Sequence, residues 1–254
     1  MIDNAHMGNA LQPPTQVNEK PLQLLMQVAV SDEPVSAKTL SQQLGVPLSS
    51  LYRHIKLLKE WNLIEESAHD KTLIVGPAAL LLMHSYQSSP HNLETIESIL
   101  FRLQKQTGEM AAYMVPVGYR ALCVSLQESA QALRCSYVRG QSQPLLRGAS
   151  SKVMLAYLPE ARREKILRHF GEEANAEAWQ TELDQIRKQG FAISTSEFDP
   201  GVTGISAPVT KGSKLIGAVS IMAPAHRVEA NKDRFILHVL QAARALLQKG
   251  NSSC

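Results

Sequence analysis

Cysteine is scarce: the chain has three in 254 residues, Cys123, Cys135 and Cys254, without metal-ligand spacing. That argues against a disulfide framework or a thiolate metal site and suits a reducing compartment. Long apolar runs are missing as well. The stretch from Pro77 to Met83 falls well short of the ~18–20 residues that span a bilayer. The first residues hold no basic stretch followed by an apolar one, so no secretory signal is expected and the expected location is the cytoplasm. Catalytic signatures are lacking too: there is no Gly-x-Ser-x-Gly elbow, Walker loop, His-Glu-x-x-His pair or dinucleotide-binding glycine loop. The eight histidines are scattered. No cofactor and no metal are therefore expected.

A strong charge of either sign is also absent, since the formal net charge is +3. Its distribution is uneven. Residues 1–76 hold six basic and eight acidic side chains, and residues 77–90 hold none of either sign. The remainder is net basic by five. Bulk electrostatics thus do not mark the first segment for nucleic acid, and any such role must rest on local geometry. What the chain does have is core material: 44% of residues are hydrophobic, and mean hydropathy is −0.14. One or two packed domains follow.

The pattern along the chain divides into four stretches. Residues 1–19, polar and without period, predict a disordered tail. In residues 20–76, Pro21 opens a helix on which Leu22, Leu25, Met26 and Ala29 recur at helical spacing. Ser36 reads as the N-cap of a short helix to Leu44, and Gly45 as its stop. A longer helix runs from Pro47 to about Glu60. Leu63–Glu65 and Lys71–Val75 then read as two strands of a hairpin. Helix, short helix, turn, helix and hairpin is the order of a winged helix-turn-helix.

Residues 77–90 predict an apolar helix and a hinge at Gln87–Pro90. The helix either makes a dimer contact or packs on its own winged domain. Residues 91–254 read as α+β. Helices are expected near Leu93–Thr107, Ser150–Tyr157, Glu160–Phe170, Thr181–Gln189 and Lys232–Gln248. Strands are expected near Met110–Val117, Ala121–Gln127, Ala132–Val138, Gly204–Thr210 and Leu215–Met222. They make a mainly antiparallel sheet with helices on its faces.

On the Pro47–Glu60 helix, Leu48, Leu51, Ile55 and Leu58 cluster on one side. Ser49, Arg53 and Lys56 fall on the opposite side, with Ser50 on the flank. An apolar stripe backed by hydroxyls and a guanidinium suits a helix lying in the major groove. Arg can bond guanine bidentately, while Ser and Lys reach phosphates or base edges. Ser49, Ser50, Tyr52, Arg53 and Lys56 are the candidate DNA contacts. The alternative is an amphipathic surface helix with solvated charges. The hairpin contributes less, because Glu65, Glu66 and Asp70 repel phosphate and only His69 and Lys71 could touch it.

The segment Leu40–Leu58, with its Gly45-Val46-Pro47 turn and Ser49-Ser50-Leu51-Tyr52-Arg53 start, resembles the helix-turn-helix of IclR-type bacterial transcription regulators. Gly140, Pro144-Leu145, Gly148-Ala149, Lys152 and Leu155-Ala156 resemble a second segment of that family. Ile186-Arg187, Gly190-Phe191, Gly201-Val202 and Ala207-Pro208-Val209 resemble a third. The shared order, over roughly residues 20–250, is more specific than any one motif.

The resemblance implies a GAF-like C-terminal domain that binds a small effector, often an organic, aromatic or sugar-derived acid. It also implies dimers, frequently paired into tetramers on double-stranded operator DNA, and repression more often than activation. Its effector contacts fall here on the backbone of Gly148 and Ala149, then on Ser194, Gly204, Ser220 and Met222, with Ser150 able to add a hydroxyl or simply to cap its helix. Exposed amides at a helix start hold a carboxylate. The chain departs from the family pattern, with Ser194 for an acid, Gly204 for a cysteine and Met222 for a serine. Those changes point away from the usual small keto acid and leave a bulkier effector, or none, open. Val202 and Leu145 are candidates for an apolar wall, and Arg134 and Arg147 for pairing an acid. Two other function classes remain at this point: a serine hydrolase using Ser150, and a winged-helix module that binds a protein instead of DNA.

Overall fold

The computed structural model describes residues 19–31, 33–88 and 93–250. The expected tail, apart from Glu19, and most of the expected hinge lie outside the described residues. The chain divides into two compact units, Met1–Ser89 and Pro90–Cys254.

The first unit runs α1 (Lys20–Ala29), β1 (Val35–Ser36), α2 (Ala37–Leu44), α3 (Leu48–Glu60), β2 (Ile64–Glu66), β3 (Thr72–Val75) and α4 (Ala78–Ser88). Local chemistry sets the helix ends. The Thr39 N–H donates to Ser36 Oγ at 3.1 Å, closing the first turn of α2. Gly45 ends it at φ +59°, a left-handed position that costs glycine no Cβ clash. The three strands are antiparallel in the order β1-β3-β2. Leu24, Val28, Leu40, Leu51, Ile55, Leu58, Ile64 and Leu73 make one core, each large side chain contributing about 1.5–3 kcal/mol by leaving water.

Two expectations about burial are corrected here. On α1 the buried residues are Leu24 and Val28, while Leu22 is 59% and Met26 44% exposed. This helix is apolar on more than one face, so periodicity does not choose the inner one; packing on α3 and β3 does. On α3, Leu48 is exposed and His54 takes a core position instead. Leu48 lies in the first turn of the helix and is 42% exposed. The two-residue β1, too short for a period, went unpredicted.

The second unit runs α5 (Leu93–Thr107), β4 (Met110–Val117), β5 (Arg120–Gln127), β6 (Ser142–Pro144), α6 (Ala149–Tyr157), α7 (Glu160–His169), a 3₁₀ turn (Glu173–Asn175), α8 (Ala176–Gln189), β7 (Ala192–Thr195), β8 (Val202–Lys211), β9 (Lys214–Pro224) and α9 (Ala225–Gly250). Its six strands are antiparallel in the order β6-β5-β4-β9-β8-β7. Strand alternation sends Ala112, Met114 and Ala218 to one face, where they meet Ala149, Val153 and Met154 of α6. Their neighbours Ala111, Tyr113, Val219 and Ile221 go to the other face, against Ile99 and Leu103 of α5 and Phe235 and Val239 of α9. Buried Glu109, just before β4, accepts two bonds from Arg227 of α9, at 2.6 and 2.8 Å.

Several boundaries differ from the sequence reading. The expected strand at Ala132–Val138 is irregular, with Leu133 and Val138 exposed, and the edge beside β5 is taken by β6 instead. The four-residue β7 was missed. α8 starts at Ala176, not Thr181, and α9 starts at Ala225 and breaks helical geometry at Asn231 before the expected Lys232 start.

Candidate functional site

Two places carry chemistry, one in each unit. In the first, α3 is held by Leu51, His54, Ile55 and Leu58, all buried. Four residues per buried stripe leave the opposite side to solvent: Ser49, Tyr52, Arg53 and Lys56 are exposed and Ser50 is half-buried. The five candidate DNA contacts therefore share one accessible surface. Lys56 lies 3.9 Å from Glu60 along the same helix, an exposed contact worth little. Burial, with Arg53 and Lys20 nearby, lowers the His54 imidazole below its ordinary value.

The hairpin keeps most of its acidic character, with Glu65 and Asp70 exposed. Lys59 donates to Glu66 at 2.6 Å, which offsets one carboxylate. Asp70 is exposed and stays ionised: its Oδ1 accepts from the Thr72 N–H at 3.1 Å and the Thr72 hydroxyl at 2.7 Å. Those bonds, led by the hydroxyl's, hold its carboxyl down to about 2.

In the second unit the residues expected to contact an effector, Gly148, Ala149, Ser150, Ser194, Gly204, Ser220 and Met222, all line one cavity of about 40 Å³. It lies between the start of α6 and the β7-β8-β9 sheet face. Gly148 precedes α6 at φ +83°, and a Cβ there would come within 2.8 Å of Gln143 Nε2. Only glycine fits. A Cβ on Gly204 would meet Ala149 Cβ at 3.4 Å and Ser194 Oγ at 3.5 Å, so the missing side chain is part of the open volume. Ser206 and Ser220 face each other across β8 and β9, with their hydroxyls 2.7 Å apart.

The amides at the start of α6 are already occupied. Gly148 N–H donates to Glu197 Oε2 at 3.1 Å, and Ala149 N–H donates to Ser194 Oγ at 2.8 Å. Side chains of the chain itself thus hold the two amides that the sequence reading assigned to a ligand carboxylate. Glu197 is braced by Lys152, whose ammonium lies 2.7 Å from both Glu197 and Glu182. Burial opposes that ammonium, but the two carboxylates outweigh it and raise it above its ordinary value.

Ser150 lies inside the first turn of α6, and Gly148, not Ser150, is the cap residue. Ser150 Oγ accepts from Gln143 Nε2 at 3.2 Å, and no histidine is among the described residues lining the cavity. A base to activate this serine is not at hand. Val202 lines the cavity, whereas Leu145 is core and Arg134 and Arg147 are exposed away from the lining. Sequence reasoning missed Glu197, Tyr137 and Gln143, which come from loops and a short edge strand without period. No helix among the described residues is long and apolar enough to cross a membrane.

Comparison with known proteins agrees on both units. The family model for the C-terminal domain of bacterial IclR transcriptional regulators matches residues 84–248, and a helix-turn-helix domain model matches residues 22–67. The transcriptional repressor IclR of Escherichia coli is 24% identical over 88% of this chain and 85% of its own length. The acetate operon repressor of Salmonella typhimurium is 24% identical over 82% and 79%. The solved C-terminal domain of a Vibrio cholerae protein assigned as a transcriptional regulator is 75% identical. It covers 63% of this chain and 99% of its own, with a TM-score of 0.61. The Thermotoga maritima IclR structure shares the fold at 21% identity and a TM-score of 0.59, over 91% of this chain and 97% of its own.

Proposed function

The chain belongs to the IclR family of bacterial transcriptional regulators, a DNA-binding family with an effector-binding C-terminal domain, and from that premise we propose how it works. The first unit reads an operator through α3, with Arg53 bonding a base edge and Ser49, Ser50, Tyr52 and Lys56 fixing the helix on the backbone or neighbouring bases. The second unit binds a small metabolite in the cavity at the start of α6. Binding shifts the assembly between arrangements whose recognition helices match or mismatch the half-site spacing. Curated relatives are named repressors, and we take the same sign for this chain.

The assembly is a homodimer joined through the first unit, two of which pair as a tetramer on DNA. No residue of α4 is buried, and Leu80, Leu81, Leu82 and Met83 are all more than half exposed. Leu22 and Met26 of α1 are exposed as well, and exposed apolar residues in number mark an interaction surface. Its domain limits follow the sequence division: DNA reading in residues 20–76, the connecting helix and hinge in 77–90, and sensing in 91–254. The cytoplasm is where such a regulator meets its DNA, and no reaction is assigned to it.

The observation that carries this reading is the exposed side of α3, a guanidinium among hydroxyls on a helix anchored by its other side. Footprinting the full-length protein on the DNA flanking its own gene tests it. The reading requires a discrete, two-fold-symmetric protected site; uniform weak protection along every fragment would contradict it.

A further inference from the structure

The cavity at the start of α6 carries an unusual charge pattern for an acid receptor. Two carboxylates, Glu197 and Asp199, are on its lining, and no lysine, arginine or histidine is among the described residues there. The position that would attract an anion, at the Gly148 N–H, is filled by the Glu197 carboxylate. Lys152 compensates that carboxylate from behind, so the cation serves Glu197 instead of a ligand. An incoming carboxylate would have to displace a braced internal one.

The uncharged groups are plentiful. Ser150, Ser194, Ser206 and Ser220 line the cavity and are buried. Ser194 Oγ accepts from Ala149 N–H and keeps its own hydrogen to donate. Tyr137 lines the cavity at 4% exposure, and its hydroxyl is one of three buried side-chain polar atoms among the described residues with no hydrogen-bond partner. A buried hydroxyl left unpaired costs free energy, and a ligand hydroxyl would satisfy it. An ammonium ligand fits less well. Glu197 is already compensated, and Asp199 is exposed to solvent, where its attraction is screened.

Building on the regulator reading above, we propose that this cavity takes a small uncharged polyhydroxylated metabolite, of the polyol or short sugar class, and that Glu197 excludes the corresponding acids. Tyr137 and the serines bond the ligand hydroxyls, and Val202, Met114 and Met222 cover its carbon side.

Matched pairs test this on the full-length protein: glycerol with glycerate, erythritol with erythronate, and xylose with xylonate, plus ethanolamine as the cationic probe. Thermal shift and calorimetry read binding, and anisotropy on the footprinted DNA is read separately. The expected result is at least a tenfold preference for the neutral member of one pair. Tyr137→Phe should weaken that member about tenfold while leaving the ligand-free melt in place. Glu197→Gln, which keeps side-chain size and leaves Lys152 its bond to Glu182, should raise affinity for the acid member at least tenfold. Tighter binding of the acid or of ethanolamine by the unaltered protein would overturn the proposal and leave the regulator reading standing. So would the absence of binding by every probe. A neutral compound that binds without changing DNA affinity would uphold the ligand class and contradict its role as effector.

Discussion

At the residue scale, function and fold each depend on positions that tolerate little change. Arg53 is exposed at the middle of α3, with no carboxylate in ion-pair range among the described residues. If it holds a guanine bidentately, Arg53→Ala should weaken operator binding by about 1–3 kcal/mol while hardly affecting binding to unrelated DNA, as competitive gel shifts would reveal. Equal loss on both DNAs would make Arg53 a phosphate contact only. Gly148 is the counterpart in the second unit. Its φ of +83° and the 2.8 Å approach of Gln143 Nε2 to a would-be Cβ mean that Gly148→Ala strains the backbone and pushes a side chain. A cost of about 1–3 kcal/mol is expected, seen as an earlier melt of the second unit. An unchanged melt would mean that the loop before α6 relaxes freely.

At the element scale, the best-read parts of the sequence were those with a strong local rule. Ser36 and Gly45 bound α2 as read, because a cap side chain and a left-handed glycine act within four residues. The β4, β5, β8 and β9 strands were legible from their length. The inner face of α1 was not, since tertiary contact decides between two apolar sides. β6 and β7 were not legible either: each is three or four residues long and exists only by pairing with a longer neighbour. The candidate contacts on α3 and around α6 were legible as motifs, whereas Glu197 reaches the site from a loop after β7, beyond any local pattern. α3 also carries a titration that no motif announced. His54 is packed inward and its folded pKa lies below the unfolded one, near 6.5. The unfolded chain therefore takes up the proton first, and the stability present above about pH 6.5 declines as pH falls through that window. Urea melts of the first unit, followed by Trp61 fluorescence in a Trp179→Phe background, should lose stability between pH 7.5 and 5.5, and less so in His54→Gln. Identical pH dependence in the two proteins would remove His54 from the account.

At the scale of the whole molecule, the proposed coupling of DNA reader and ligand cavity runs through an assembly of copies. The apolar α4 is the element available to build it: Leu80, Leu81 and Leu82 are each more than 60% exposed. Leu81→Glu places a charge in that contact and should shift sedimentation velocity from dimer or larger species toward monomer, with a matching loss of operator affinity. An unchanged oligomer would move the interface elsewhere. Net charge contributes little to DNA binding here, because the first segment is slightly acidic and attraction must come from a few placed cations. The most direct measurement is fluorescence anisotropy of the full-length protein on its footprinted site and on a scrambled duplex of equal length, over a salt series. The account predicts affinity that falls as salt rises on both duplexes, with the footprinted site bound at least about a thousandfold more tightly throughout. Equal affinity for the two sequences at every salt concentration would contradict it.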